Sequence, residues 1–188
     1  HHMLHFLDNH DEQRLASPEF AGTPEKGKPL MVVSTTISTS PTMVYFGQEV
    51  GEAGNENAGF GTHSRTSIFD YIGVPNHQRW MNGGKFDGGK LTKDEKELRD
   101  FYKRVLNFSL NSSALMGKYQ EIQTLNRQST QGYDPGIYAF TRWSDTQKLI
   151  VVTNFSWITT SNFELKIPSD IIQKWNLNDG NYTITDQL

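Results

Sequence analysis

Cysteine is absent from the 188-residue sequence, and its absence excludes disulfides, thiolate metal sites and a cysteine nucleophile. No apolar run approaches the roughly 18 residues that a membrane-spanning helix needs. Neither sign of charge dominates, since 18 lysines and arginines stand against 21 aspartates and glutamates and the net charge is −3. The basic residues form no block, so the composition indicates neither a nucleic-acid-binding protein nor a protein of anionic membrane surfaces.

Aromatic residues are plentiful in this otherwise polar chain. They make up 12% of the sequence, while apolar residues make up only 35%. A polar, glycine-rich and cysteine-free chain with many aromatic residues is compatible with a carbohydrate-active protein. The start, His1-His2-Met3, lacks the layout of a signal peptide, and the absence of cysteine does not decide the cellular compartment.

The first part of the chain has the pattern of an α/β fold. Residues 3–7 and 42–46 form short apolar runs of the kind found in strands buried on both faces of a parallel sheet. Residues 29–40 lie between them; their β-branched content favours a strand, whereas the chain order favours a helix. A long glycine-rich region, 50–91, follows the second run and predicts no regular element.

The clearest element is a helix over about 93–110. Thr92 and Glu95 have the spacing of a capping box, which marks a helix start. Apolar side chains then recur at helical spacing and predict one buried face. The residues of this face are Leu98, Phe101, Tyr102, Val105 and Leu106.

After a boundary near residue 113 the pattern becomes all-β. Short runs rich in β-branched and aromatic residues alternate with turn sequences, as in antiparallel sandwiches. The predicted strands are 119–125, 137–143, 148–155, 163–167 and 182–186. Ser169 is expected to cap a short helix over 170–175.

Two parallel strands cannot close a sheet by themselves, so the first part is interpreted as a fragment of a larger α/β domain.

The polar stretch 8–14 directly follows the first apolar run, and at this end of a parallel strand functional side chains collect. The neighbouring imidazole and carboxylate of His10 and Asp11 suit acid–base work, metal binding or sugar recognition. The alternative interpretation is a solvated loop in which Asp8 or Asp11 caps a turn.

The segment "FLDNHDEQR" resembles the seventh-strand motif of the α-amylase family of glycoside hydrolases, with Phe6, Asn9, His10, Asp11 and Arg14 matching. The segment "SPTMVYFGQE" is similar to the family's eighth-strand motif in Pro41, Tyr45, Gly47 and Glu49, whereas Ser40 replaces the usual glycine. Residues 65–89 are similar to the following loop in amylases of Bacteroides-type bacteria.

The resemblance implies a fold class for the whole chain. Residues 1–112 would be the last two strand–helix units of a TIM (β/α)8 barrel. Residues 113–188 would be domain C, an antiparallel β-sandwich that is truncated at its end. The parent protein would be an α-amylase-type hydrolase of starch or maltodextrin, with a cyclomaltodextrinase, an α-glucosidase or a transglycosylase left open.

The resemblance also implies roles for individual residues. Retaining glycosidases use a nucleophilic carboxylate and a carboxylic acid, and a third carboxylate stabilises the transition state. Asp11 matches that third carboxylate, and His10 matches a residue that binds the sugar. The nucleophile and the acid come from strands that this chain lacks, so the isolated chain is expected to be inactive. The family's calcium ligands also lie outside it; calcium stays open for the parent, and no metal is assigned here.

Four further residues are candidates for binding the α-glucan. Asn9 belongs to the seventh-strand motif. Arg14 could orient Asp11, contact substrate, or form a structural salt bridge near the rim. Glu49 ends the second apolar run, where a rim role and a structural role have even weight. Trp80 could stack on a glucose ring or fix its loop to the protein.

Two other functions remain open at this point. One is a non-catalytic glucan-binding or interaction protein built on the amylase fold. The other is a starch-binding β-module with residues 1–112 as an appendage, which the two barrel motifs disfavour. For the parent, the resemblance favours a periplasmic, cell-surface or secreted location, with a cytoplasmic one also open.

Overall fold

A computed structural model describes residues 3–55, 64–66, 68–69 and 72–188. The chain divides into two compact units. The first unit comprises His1–Thr35 and Ser40–Asn107, and the second comprises Thr36–Thr39 and Phe108–Leu188.

The first elements of the chain form a parallel strand–helix–strand arrangement. Strand β1 (His5–Phe6) pairs in parallel with β2 (Thr42–Met43), and α1 (Gly27–Thr36) connects them. Parallel strands require a crossover connection, usually a helix, which decides the ambiguity over residues 29–40. Within α1, Thr35 Oγ1 donates a hydrogen bond to the Met31 carbonyl (2.9 Å), a bond that accommodates threonine inside a helix.

Two further helices follow, α2 (Pro75–Met81) and α3 (Lys93–Asn111); the first unit includes α2 and the residues of α3 up to Asn107. The capping box of α3 is confirmed, since Thr92 N donates to Glu95 Oε2 (2.8 Å) and Glu95 N donates to Thr92 Oγ1 (3.3 Å). The predicted apolar face of α3 is also confirmed as core. Its buried members pack with Met31 of α1; they are Leu98, Phe101, Tyr102 and Val105.

The first apolar run is shorter and more exposed than the sequence predicts. Met3, Leu4 and Phe6 are 70%, 50% and 44% exposed, so the prediction of a strand buried on both faces is wrong for this chain. In the described residues β1 has β2 as its strand neighbour, and no second strand covers its other edge. The second run likewise pairs only over Thr42–Met43, not over 42–46.

The second unit contains a three-stranded antiparallel sheet with the order β3-β4-β5. The strands are β3 (Lys118–Glu121), β4 (Ile137–Trp143) and β5 (Lys148–Asn154), and helices α4 (Gln123–Ser129) and α5 (Ser169–Lys174) accompany them. Strands β4 and β5 agree closely with prediction. A short helix is confirmed close to the predicted 170–175, but the prediction that Ser169 caps it is wrong, because Ser169 is the first helical residue, Pro168 is the N-cap and no side chain caps the helix. A hydrophobic core lies on one face of the sheet, with the buried residues Ile122, Tyr133, Ile137 and Ala139.

Three predicted strands differ from the structure. The run 119–125 stops being a strand at Glu121, because α4 begins at Gln123. Residues 163–167 and 182–186 form no strand. Phe163, Leu165 and Ile167 nevertheless alternate into the core, as in a strand.

The side chain of Asn126 explains why 163–167 is no strand. Its Nδ2 donates to the Lys166 carbonyl (2.9 Å), and its Oδ1 accepts from Lys166 N (2.8 Å). The backbone of Lys166 therefore pairs with a side chain where a strand would pair with a neighbouring backbone. The second sheet of a sandwich stays a prediction.

Candidate functional site

The loop of residues 8–15, which follows β1, presents His10 and Asp11 at its tip. Their side chains are 56% and 76% exposed, and His10 Nε2 lies 3.3 Å from Asp11 Oδ2. The two residues therefore form a solvent-facing pair. An exposed carboxylate and imidazole can hydrogen-bond the hydroxyl groups of a polar ligand, and the carboxylate can stabilise positive charge that develops beside it.

Asn9 shapes this tip. Its Oδ1 accepts hydrogen bonds from the backbone N–H groups of Asp11 (2.8 Å) and Glu12 (2.9 Å). Such turns are a common use of asparagine side chains. The amide oxygen of Asn9, a residue predicted to bind substrate, is thus used inside the loop, where it orients Asp11.

A buried ion pair closes the base of the loop. Arg14 Nε lies 3.0 Å from Asp8 Oδ2, and both side chains are 0% exposed. Asp8 Oδ1 also accepts a hydrogen bond from Leu15 N (2.6 Å). Both ends of the loop thus meet at the Asp8 carboxylate. Its contacts with Arg14 and Leu15 hold in place the intervening residues, which include His10 and Asp11.

Arg14 also joins the loop to two distant segments of the first unit. Its Nη1 donates to Thr66 Oγ1 (3.1 Å), and its Nη2 donates to the Phe46 carbonyl (2.8 Å). Its Cζ lies 4.9 Å from the centroid of the Tyr45 ring, within cation–π range. Among the alternatives for Arg14, the structure shows a buried salt bridge, and the partner is Asp8 rather than Asp11.

Burial governs the protonation of this cluster. It raises the pKa of Asp8 to about 6, against the opposing effects of the Arg14 guanidinium and the Leu15 N–H. Burial also raises the pKa of Tyr45; the Arg14 charge opposes this rise, and the charges of Asp8 and Asp11 add to it. Tyr45 therefore lies within electrostatic range of the exposed Asp11.

The two glutamates that follow β2 have different surroundings. Glu52 is 2% exposed, and its Oε2 accepts hydrogen bonds from Asn76 N (2.9 Å) and His77 N (3.3 Å) at the start of α2. Its carboxylate thus caps a helix, and burial raises its pKa. Glu49, predicted at the rim, lies in the 3-10 turn Gln48–Val50 and is partly exposed, so a ligand can reach it.

Trp80 is half-buried on α2. Its ring stacks on His77, with centroids 5.5 Å apart and an interplanar angle of 25°. Phe86 meets it edge-on at 5.8 Å, and Arg99 Cζ lies 5.7 Å from its centroid. These contacts fix the loop to the helix, as one of the two alternatives for Trp80 predicts, and they leave part of the indole at the surface.

The structure thus brings Asn9, His10 and Asp11 together with Arg14 on one loop. Sequence reasoning weighed Asp8 only as the cap of a turn, and it missed the pair of Asp8 with Arg14 and the support that Phe46 and Thr66 give to Arg14. A signal for Asp8 was present, because it directly follows the apolar run. Thr66 gives no such signal, since only the fold brings it to Arg14.

Within the described residues, no group of three or more histidine, aspartate and glutamate side chains is placed to hold a metal ion. The helices of the same residues include none that is long and apolar enough to cross a membrane. No protein-family model matches the chain, and no curated protein matches it.

Proposed function

We propose that this chain is part of a retaining glycoside hydrolase of the α-amylase family, acting on α-1,4-glucans such as starch or maltodextrin. Residues 1–112 would then belong to the catalytic barrel and 113–188 to domain C. The observation that carries the proposal is the exposed His10–Asp11 pair just after β1, a strand that pairs in parallel with β2. In parallel α/β folds, ligands bind at the carboxyl ends of the strands.

The exposed apolar residues of β1 support a larger sheet. Phe6 of β1 and the two residues that precede the strand, Met3 and Leu4, are between 44% and 70% exposed, which is unusual for three large apolar residues within four positions. In a closed barrel, the packed interior and the outer ring of helices would cover such side chains, and a further parallel strand would pair with the other edge of β1.

Asp11 would act on the charge of the transition state. Cleavage with retention passes through an oxocarbenium-like state whose positive charge is stabilised by oriented carboxylates. Asn9 holds Asp11 through a backbone hydrogen bond, and the Asp8–Arg14 pair fixes the loop beneath it. A preorganised carboxylate stabilises the transition state without first having to reorganise.

The remaining candidates take supporting roles in this proposal. His10 would hydrogen-bond the sugar in the reacting subsite, and Glu49 would contact substrate at the rim. Trp80 would offer its exposed edge to the glucan. No cofactor is assigned to these residues. The nucleophile and the acid would come from other strands of the barrel.

The test uses the full product of the gene that encodes this chain. Release of reducing sugar from soluble starch is measured for the wild type and for Asp11→Asn, which keeps the shape of the side chain and removes its charge. We expect kcat to fall on the order of 10²–10³-fold, with starch binding retained. Glu12→Gln is the matched control, because Glu12 is the neighbouring exposed carboxylate.

Equal loss in both variants, or full activity in Asp11→Asn, would contradict the role of Asp11. A wild-type product that binds starch without cleaving it would instead support the non-catalytic glucan-binding alternative.

A further inference from the structure

Strand β5 (Lys148–Asn154) lies at one edge of the antiparallel sheet, with β4 as its neighbour. Two hydrogen bonds flank the β4–β5 pair: Ser144 N donates to Gln147 O, and Phe155 N donates to Gly136 O, both at 2.9 Å. Because such a ladder alternates, the odd-numbered residues of β5 bond to β4. The even-numbered residues, 148, 150, 152 and 154, point their N–H and C=O groups outward, and in the described part of the chain these groups have no backbone partner.

The sequence of β5 does not protect this edge. Natural proteins blunt an exposed edge with a short strand, a proline, a bulge or a charge within the strand. The seven residues of β5, KLIVVTN, carry a single charge, at the first position. Val152, whose backbone groups point outward, is 44% exposed. The edge is therefore long and apolar enough to pair with another strand.

The opposite edge of the sheet has a different design. Strand β3 has only four residues, and a charged residue stands at each end, Lys118 and Glu121. Gln120 Nε2 donates to Asp170 Oδ2 of α5 (2.9 Å), so a helix lies beside this strand. These features disfavour strand pairing at β3 and leave β5 as the available edge.

The loop that follows β5 presents two large apolar side chains to solvent. Trp157 is 50% exposed and Ile158 is 95% exposed. The loop is held in shape by Asn154, whose Oδ1 accepts from Ser156 N (2.8 Å) and whose Nδ2 donates to Thr159 O (3.1 Å). Large apolar side chains exposed on a held loop beside an open edge indicate an interaction surface.

The outward edge of β5 is complementary to itself. An antiparallel pair centred on Val151 sets Ile150 opposite Val152 of a second copy, and Lys148 opposite Asn154. Apolar side chains then meet apolar ones, and the two lysines lie at opposite ends of the pair, where neither faces another charge. The contact is the same for both copies, as in the two-fold dimers that are the commonest oligomers.

We propose that β5 pairs with β5 of a second copy and joins two three-stranded sheets into one. In this arrangement the loop of Trp157 and Ile158 reaches the turn before β5 of the second copy, which adds apolar area to the strand contact. An interface of this extent belongs to the small, weak class, so we expect a dimer Kd on the order of 1–100 µM. The proposal is independent of the proposed function, because it uses no residue of the His10–Asp11 loop.

The first test is the concentration dependence of mass for the full gene product, measured by sedimentation equilibrium. Val152→Lys places an ammonium group against Ile150 of the second copy, and we expect Kd to rise at least about tenfold. Ile172→Lys is the matched control, because Ile172 is 39% exposed and lies on α5, beside the opposite edge. The control should keep the wild-type Kd, and circular dichroism verifies that both variants are folded.

Val151→Cys tests the register without adding charge. Opposite residues of a non-hydrogen-bonded antiparallel pair have Cα atoms about 4.5 Å apart, within the range of a disulfide. The 188 residues contain no cysteine, and any cysteine elsewhere in the gene product is replaced by serine. Under mild oxidation we expect a disulfide-linked dimer from Val151→Cys on a non-reducing gel, and none from Ile172→Cys.

A gene product that stays monomeric at the highest concentration would overturn the proposal. Slow hydrogen exchange at the Ile150 and Val152 amides of that monomer would identify another segment of the gene product as the cover of this edge. A dimer that Val152→Lys leaves unchanged and that Val151→Cys does not link would also overturn it, because a different surface would then join the copies. Turnover of starch is measured separately, so the failure of either proposal leaves the other standing.

Discussion

Replacing Arg14 by methionine removes the guanidinium and leaves an unbranched apolar side chain in the buried space. The change breaks the contact with Asp8 Oδ2 at 3.0 Å. It also deletes the donors to Thr66 Oγ1 and to the Phe46 carbonyl. Since Asp8 is 0% exposed, water cannot replace the lost partner without rearrangement of the loop.

The expected loss of unfolding free energy is about 3–5 kcal/mol near pH 7.5, the usual result of removing one member of a buried ion pair. The two lost hydrogen bonds are part of this figure, because measurements on buried pairs include such partners. A protein of ordinary stability has only about 5–15 kcal/mol in total. The variant is therefore expected to be folded but marginal.

The loss should depend on pH with a definite sign. Burial already raises the Asp8 pKa from 3.8 to about 6, and Arg14 opposes that rise. Without Arg14 the folded-state pKa rises further. A raised pKa contributes stability that is fully present below the unfolded value of 3.8 and is lost as the pH rises through the folded value. The destabilisation caused by Arg14→Met is therefore largest above the variant's folded-state pKa and shrinks as the pH falls to about 6, the wild-type value, by up to about 1.4 kcal/mol per pH unit. Below about pH 6 it stays constant, because Asp8 is protonated in both folded proteins.

Urea unfolding followed by far-UV circular dichroism at several pH values measures both effects. Glu97→Gln is the control, because it breaks the exposed Lys93–Glu97 pair of the same unit, with side chains 86% and 62% exposed. Exposed pairs contribute at most about 1 kcal/mol. An Arg14→Met loss below about 1 kcal/mol, or one that grows as the pH falls, would refute the reasoning.

Two further predictions concern the second unit. Asn126 is fully buried, and it hydrogen-bonds the Ile122 carbonyl and both backbone groups of Lys166, so Asn126→Ala should cost about 2–4 kcal/mol in urea unfolding. Retention of wild-type stability would show that Lys166 finds other partners. A Cβ on Gly117 would collide with the Trp143 carbonyl, so Gly117→Ala should lower the unfolding free energy by at least about 2 kcal/mol. An unchanged thermal midpoint would count against this steric account.

Short-range sequence patterns correctly predicted the elements that short-range contacts stabilise. The helix α3 was predictable because Thr92 and Glu95 bond to each other three residues apart, and because its apolar face repeats at helical spacing. Strands β4 and β5 were predictable for a similar reason, since a short turn joins two runs of β-forming residues. The exposed tip at His10 and Asp11 was predictable from its position after an apolar run.

The rest of the fold depends on contacts between residues that are distant in sequence. The alternation of Phe163, Leu165 and Ile167 correctly indicated an extended segment that packs on the core. Its backbone partner is the Asn126 side chain, 40 residues away, and no periodicity in the segment reports such a partner. The prediction of a strand over 163–167 was therefore wrong, although the alternation of its side chains was predicted correctly.

The polar stretch 8–14 shows the same limit at the candidate site. Pattern alone treats its charged residues as one solvated group, yet Asp8 and Arg14 are buried and His10 and Asp11 are exposed. Arg14 is buried because Phe46 and Thr66, 32 and 52 residues further along the chain, cover and bind it. The exposed tip at His10 and Asp11 thus follows from the local motif, whereas the buried pair at the base of the loop depends on segments that the motif does not report.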